Sequence, residues 1–208
     1  MKYTDEITIS KGNKKTGFIP SVSLPPKTTC NPDAPCTKCH LCYIDKVCRT
    51  RPNVLASYQH NFDVYKRNPD AFFAQVEAIA KISNYFRYFV SGDIPNIQFF
   101  NYMVETAKKC SNCTFLVFTK QFEIVNHYLA DYEINQKQMP ANLQIILSGW
   151  GAWQPPNPHN LPKAQVIFKG QTPNENWLLC GGNCAECACR GVGCWQLKKG
   201  ETIAFYQH

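Results

Sequence analysis

Nine of the twelve cysteines in this 208-residue chain fall into two tight groups near its ends. The first group is Cys30, Cys36, Cys39 and Cys42, with Cys48 just beyond. The second is Cys180, Cys184, Cys187, Cys189 and Cys194. Thiolates two or three residues apart can converge on one metal centre, so cofactor chemistry is the first expectation for this chain. Iron–sulfur clusters take cysteine thiolates, often with two residues between ligands in one loop. Structural zinc takes four ligands, commonly as two separated pairs. Cys36, Cys39 and Cys42 match the first three ligands of a bacterial ferredoxin run, but no Cys-Pro follows for the fourth. Both metals stay open for both groups. Disulfides are the weaker reading, because neighbours two residues apart do not bridge comfortably.

Other chemistry-bearing residues are expected at strand ends. Ser91-Gly92-Asp93 follows one apolar strand and Thr119-Lys120 the next; Ser148-Gly149-Trp150 and Lys169-Gly170-Gln171 follow two more. In parallel α/β folds ligands bind at the carboxyl ends of strands. Lys120 is therefore a candidate catalytic amine, able to contact a carboxylate or phosphate. Ser148 is a candidate cofactor contact, and Asn174 and Glu175 have weaker support. Asp93 also suits a helix cap. Cys110 and Cys113 form a lone pair that reads as packed thiols or as half of a redox or metal site. His40 reads as a loop histidine, and the tryptophans at 150, 153, 177 and 195 read mostly as packing residues. No Ser-His-Asp pattern, P-loop or dinucleotide fingerprint occurs.

The elements that must position these residues alternate. A short strand over 18–24 precedes the first cysteine loop. Helices over 53–83, broken at Asn68-Pro69, lead to a strand at 86–90. A helix at 97–109, a strand at 115–118, a helix at 122–132 and a strand at 143–147 follow. A loop rich in proline and asparagine, a strand at 164–168 and a last strand at 202–206 close the chain. The alternation predicts an α/β fold: a partial (β/α) barrel or an open parallel sheet, with a cysteine-rich C-terminal metal-binding segment. The chain divides into a polar segment 1–17, an α/β domain 18–172 carrying the first cluster loop, and a cysteine-rich segment 173–208. On this reading the second cysteine group follows the last crossover.

Hydrophobic residues are 44% and charged residues 18% of the chain, enough for an ordinary core without cysteine staples. The net charge of +7 is compatible with a nucleic-acid partner as well as with solvated lysines, the densest patch being Lys11, Lys14 and Lys15. The start is polar and basic, without the apolar core of a secretory signal. No apolar run reaches the roughly 20 residues of a membrane helix. No membrane partner and a reducing compartment are therefore expected, where clustered cysteines more often bind metal than form bridges.

Ser91-Gly92-Asp93-Ile94-Pro95 resembles the glycine- and acid-bearing turn after the second strand of radical S-adenosylmethionine enzymes. A longer match covers most of the chain: 17–24, Cys42-Tyr43, 51–54, 89–95, 115–120 and the cysteine-rich end are similar to the phage family called gene product eighty-eight. A related phage family that looks like a radical S-adenosylmethionine enzyme has a similar Cys-x2-Cys-Tyr loop and a strand ending in Thr-Lys. Cys39-x2-Cys42-Tyr43 and Thr119-Lys120 stand at those places here. The resemblance implies a radical-type barrel and specifies no substrate. It implies ligands of a first [4Fe–4S] cluster among Cys30, Cys36, Cys39 and Cys42, three of them leaving one iron open and the fourth spare. Ser91, Gly92 and Asp93 would hold the methionine part of S-adenosylmethionine, with Asp93 and Lys120 as candidate catalytic groups. The commoner spacing of such enzymes, Cys-x3-Cys-x2-Cys, occurs only at Cys180, Cys184 and Cys187. Their late position makes a second [4Fe–4S] cluster or a zinc knuckle the reading there. A reductant and an unknown, macromolecular-sized substrate would be the partners, in the cytoplasm of a bacterial host if the chain is phage-encoded. The alternatives are a zinc-stabilised module that binds nucleic acid or protein, and a two-cluster electron-transfer protein.

Overall fold

The computed structural model describes residues 4–38 and 42–207. Within them β1 (Ile9–Ser10) and β2 (Ser21–Val22) precede α1 (Pro35–Lys38), α2 (Tyr43–Thr50), α3 (Pro52–Arg67) and α4 (Pro69–Lys81). Strand β3 (Tyr85–Tyr88), α5 (Ile97–Lys109), β4 (Thr114–Thr119), α6 (Phe122–Ile134) and β5 (Leu143–Ser148) then alternate. The chain ends with β6 (Lys163–Ile167), β7 (Leu178–Leu179), α7 (Cys184–Cys189), a 3₁₀ turn at Gly193–Gln196 and β8 (Thr202–Tyr206). Local chemistry accounts for the helix boundaries. Pro52 and Pro69 open α3 and α4, where the missing N–H costs nothing. The side chains of Asn68 and Asn96 cap α4 and α5 by accepting from Ala71 N and Phe99 N.

All eight strands join one sheet in the order β1-β2-β3-β4-β5-β6-β8-β7. Only the β1–β2 pair is antiparallel; β2 through β7 run parallel. The sheet is open and mostly parallel, not closed into a barrel. Side chains alternate between its faces with the two-residue period of a strand. Phe86, Tyr88, Phe115, Val117, Ile145 and Leu147 face a core shared with α3 to α6. Leu116, Ile146 and Ala164 face a second core built with Ala185, Ala188 and Trp195. The helices therefore cover one face, and the cysteine-rich segment covers part of the other.

That segment does not follow the last crossover, as expected from its position, but forms it. Strand β7 pairs in parallel with β8, and the chain between them carries α7 and the 3₁₀ turn. Strand β8 then inserts between β6 and β7. No helix among the described residues is long and apolar enough to cross a membrane.

Candidate functional site

The ends of β3, β4 and β5 meet at one edge of the sheet. Strand β3 is followed by Phe89, buried at a positive φ of 63°. This conformation is costly for a residue with a Cβ and persists only where the surroundings enforce it. Here the bent chain brings Val90 N and Ser91 N to Ser23 Oγ, at 3.1 and 3.3 Å. Gly92 follows at φ 80°, and a Cβ there would come within 2.7 Å of both Leu24 O and Thr29 Oγ1. Only glycine satisfies both the dihedral and the close approach.

Asp93 ties this turn to the end of β4. Its Oδ1 accepts from Ile94 N (2.8 Å) and Thr119 Oγ1 (2.6 Å), and its Oδ2 from Lys120 N (2.7 Å). Burial pushes its carboxyl up to about 6, against the opposing pull of those donors. Asn96, not Asp93, caps the next helix. Lys120 extends past the strand end and donates from Nζ to Ser148 Oγ at 2.7 Å, closing a chain from β3 through β4 to β5. Its ammonium lies 5.8 Å from the centre of the Trp150 ring.

The first cysteine loop folds over these strand ends. Asn31 Nδ2 donates to Lys120 O (2.8 Å), Gln121 Nε2 to Thr29 O (3.0 Å) and Tyr43 Oη to Val90 O (2.9 Å). Loop and strand ends enclose a pocket of about 210 Å³. Cys30, Cys36 and Cys42 line one side, and Ser91, Gly92, Asp93, Lys120 and Ser148 line the rest. All the expected residues of the first site except Cys39 thus face a single space. Cys39 and His40 lie outside the described residues. Lys169, Gly170, Gln171, Asn174 and Glu175 are exposed and do not line it.

Burial first, and then the charge of Asp93, push the Cys30 thiol up to about 12. Such a thiol is not a nucleophile at neutral pH. A coordinated metal reverses this, because it removes the proton outright. Among the described residues no three His, Cys, Asp or Glu side chains are gathered closely enough to hold a metal ion. In donor type the three pocket thiols fit an iron–sulfur cluster or zinc. Ser91 Oγ is buried at the same pocket and has no hydrogen-bond partner among the described residues. A buried hydroxyl left unpaired costs free energy, so this one suits a polar group of a ligand.

The second cysteine group lies on the sheet face opposite α3 to α6. Asn183 caps α7 by accepting from Ala185 N and Glu186 N. Cys184 and Cys187, three residues apart, share a side of that helix, while Ala185 and Ala188 face the core. Burial and the neighbouring charges of Cys180 and Cys184 raise the Cys187 thiol. Cys194 is raised by burial and then by Cys180, Cys184 and Cys187. Cys194 is buried in the second core and Cys180, Cys184 and Cys187 pack against it, whereas Cys189 is exposed. Gly182 N donates to Cys180 Sγ at 3.4 Å, and Arg87 Nη1 to Cys184 Sγ at 3.3 Å. Gly193, at φ 69°, lets the chain pass Cys187, whose Sγ would lie 3.3 Å from any added Cβ.

Cys110 and Cys113 are fully buried in the helix-side core. Burial pushes the Cys113 thiol up to about 12. Trp153 packs on Phe122, and Trp195 packs on Tyr85 and donates to Cys184 O, whereas Trp150 lines the pocket. The strand-end pattern left out Arg87. It lies within β3, on the face away from the helices, and lines this pocket and an adjoining one of about 220 Å³. Its signal was a single cation inside Tyr85-Phe86-Arg87-Tyr88-Phe89, where a buried apolar strand has no use for one.

A family model described as gene product 88 matches residues 2–201. No curated protein and no solved structure matches the chain.

Proposed function

The chain belongs to the gene product 88 family, and we propose that it is an iron–sulfur protein acting as a small radical S-adenosylmethionine enzyme. The observation that carries this reading is the convergence of Cys30, Cys36 and Cys42 with Ser91, Gly92, Lys120 and Ser148 around one pocket at the strand ends. In this reading three of Cys30, Cys36, Cys39 and Cys42 would hold a [4Fe–4S] cluster, with the fourth cysteine spare so that one iron is left for S-adenosylmethionine. When bound, the cluster and S-adenosylmethionine supply one-electron cleavage of the sulfonium and hydrogen abstraction from a substrate. Ser91 Oγ, unpaired and buried, receives the polar methionine end, beside the turn that Gly92 makes passable. Asp93 positions rather than reacts, since both its oxygens already hold the β3 turn and Lys120 in place. Lys120 Nζ, held by Ser148, presents a positive charge to an anionic group of ligand or substrate. Phe118 and Trp150 contribute apolar wall to the pocket. Cys180, Cys184, Cys187 and Cys194 hold a second centre that braces the far face of the sheet. The implied partner is a one-electron reductant.

Anaerobic purification with metal analysis tests the reading. The expected protein is brown, absorbs near about 400 nm and carries roughly eight irons per chain. Adding dithionite and S-adenosylmethionine should then release 5′-deoxyadenosine. Colourless protein with stoichiometric zinc would overturn the proposal. An iron protein whose spectrum ignores S-adenosylmethionine would leave only electron transfer.

A further inference from the structure

The adjoining pocket of about 220 Å³ opens from the first between β4, β5, β6 and β8. Arg87 and Lys120 are its cations, and no aspartate or glutamate lines it. Neither cation forms an ion pair with a carboxylate among the described residues. Arg87 reaches Cys184 with Nη1 and lies 5.2 Å from the Phe118 ring centre, yet its buried Nε has no hydrogen-bond partner. A guanidinium with no carboxylate partner and a buried, unsatisfied N–H is short of an acceptor. Aromatic rings supply much of the wall: Tyr43, Phe118, Trp150 and Phe205.

We propose that Arg87 and Lys120 form a phosphate subsite, and that the pocket takes a nucleotide whose base lies against Trp150, Phe118 and Phe205. A phosphate monoester carries about −1.5 to −2 charges at neutral pH, which matches two cations. A monocarboxylate would leave one of them uncompensated. Guanidinium geometry suits phosphate oxygens with two parallel hydrogen bonds, and flat rings stack on aromatic walls whatever the base. The inference rests on the proposed function only in calling the nucleotide a substrate, because the binding itself requires no radical chemistry.

Titration of the full-length protein with uridine 5′-monophosphate, uridine and inorganic phosphate tests it, read by tryptophan fluorescence and calorimetry. A pyrimidine probe avoids the adenosyl site of the proposed function. The mononucleotide should bind at least about tenfold tighter than either fragment. Arg87→Gln and, separately, Lys120→Gln should each weaken it about tenfold or more while leaving uridine unchanged. Arg87→Lys should recover part of the loss. A 5′-phosphorylated oligouridylate that binds as tightly as the mononucleotide places the phosphate on a chain end; weaker binding places it on a free nucleotide. Equal binding of uridine and its monophosphate overturns the proposal, as does no effect of either glutamine variant. Loss of nucleotide binding only together with metal from the Cys180 group would assign Arg87 to that sulfur and also overturn it. Absence of 5′-deoxyadenosine release would leave the subsite standing, and absence of nucleotide binding would leave the radical reading standing.

Discussion

At the scale of single residues, Asp93 carries the most structural weight in the site. Three donors converge on it, one from its own turn and two from the end of β4. Asn at this position keeps one acceptor oxygen and turns the other into a donor that faces donors. Asp93→Asn should therefore lower stability by about 2 kcal/mol, seen as a lower urea midpoint with unchanged slope. The pH dependence follows from burial, which raises the folded carboxyl from 3.8 to about 6. Between these values the native state holds a proton that the unfolded chain releases. That contribution is full below about pH 4 and is lost as pH rises through about 6. The deficit of the variant should thus be largest near pH 4 and narrow by pH 7. A gap that widens instead would mean that the hydrogen bonds outweigh burial. The Ser91-Gly92-Asp93 turn was legible in sequence because glycine and an acid right after an apolar strand are a strong local signal. The use made of Asp93 was not, because its partners Thr119 and Lys120 lie 26 and 27 residues away.

At the scale of elements, the cysteine-rich segment separates spacing from position. The spacing was readable: Cys184 and Cys187 fall on one side of α7, and they and Cys180 pack against the core that holds Cys194. Its place in the fold was not readable, because β7 has two residues, α7 has six and neither displays a period. The sequence therefore put the group after the last crossover, whereas it builds the crossover between β7 and β8. The same geometry ranks the five thiols. Cys187→Ser should remove about half of the bound metal in a two-centre protein and lower the melting temperature. Cys189→Ser, at an exposed position, should change neither. Inductively coupled plasma analysis beside a thermal scan checks both variants, and equal metal loss from the two would discard the ranking.

At the scale of the whole molecule, the strand–helix alternation from β3 to β5 was legible because its strands are apolar runs long enough to register and its helices carry clear periods. The sheet edges were not, since β1, β2 and β7 have two residues each and are fixed by their neighbours. Strand order bears on how the molecule unfolds. Strand β8 is the last in sequence yet lies between β6 and β7, with Ile203 and Ala204 almost wholly buried. The cysteine-rich segment that leads to it packs through Trp195 and Ala185 on Leu116 of β4 and Ile146 of β5. Peeling this segment off would strip one core from the middle of the sheet and break both ladders of β8. The segment should therefore open only with global unfolding, not as an independent module. In native-state hydrogen exchange, amides of β8 should show opening free energies within about 1 kcal/mol of those in β4 and β5. Protection of β8 that collapses at denaturant concentrations leaving β4 and β5 intact would instead make the C-terminal segment a separate folding unit.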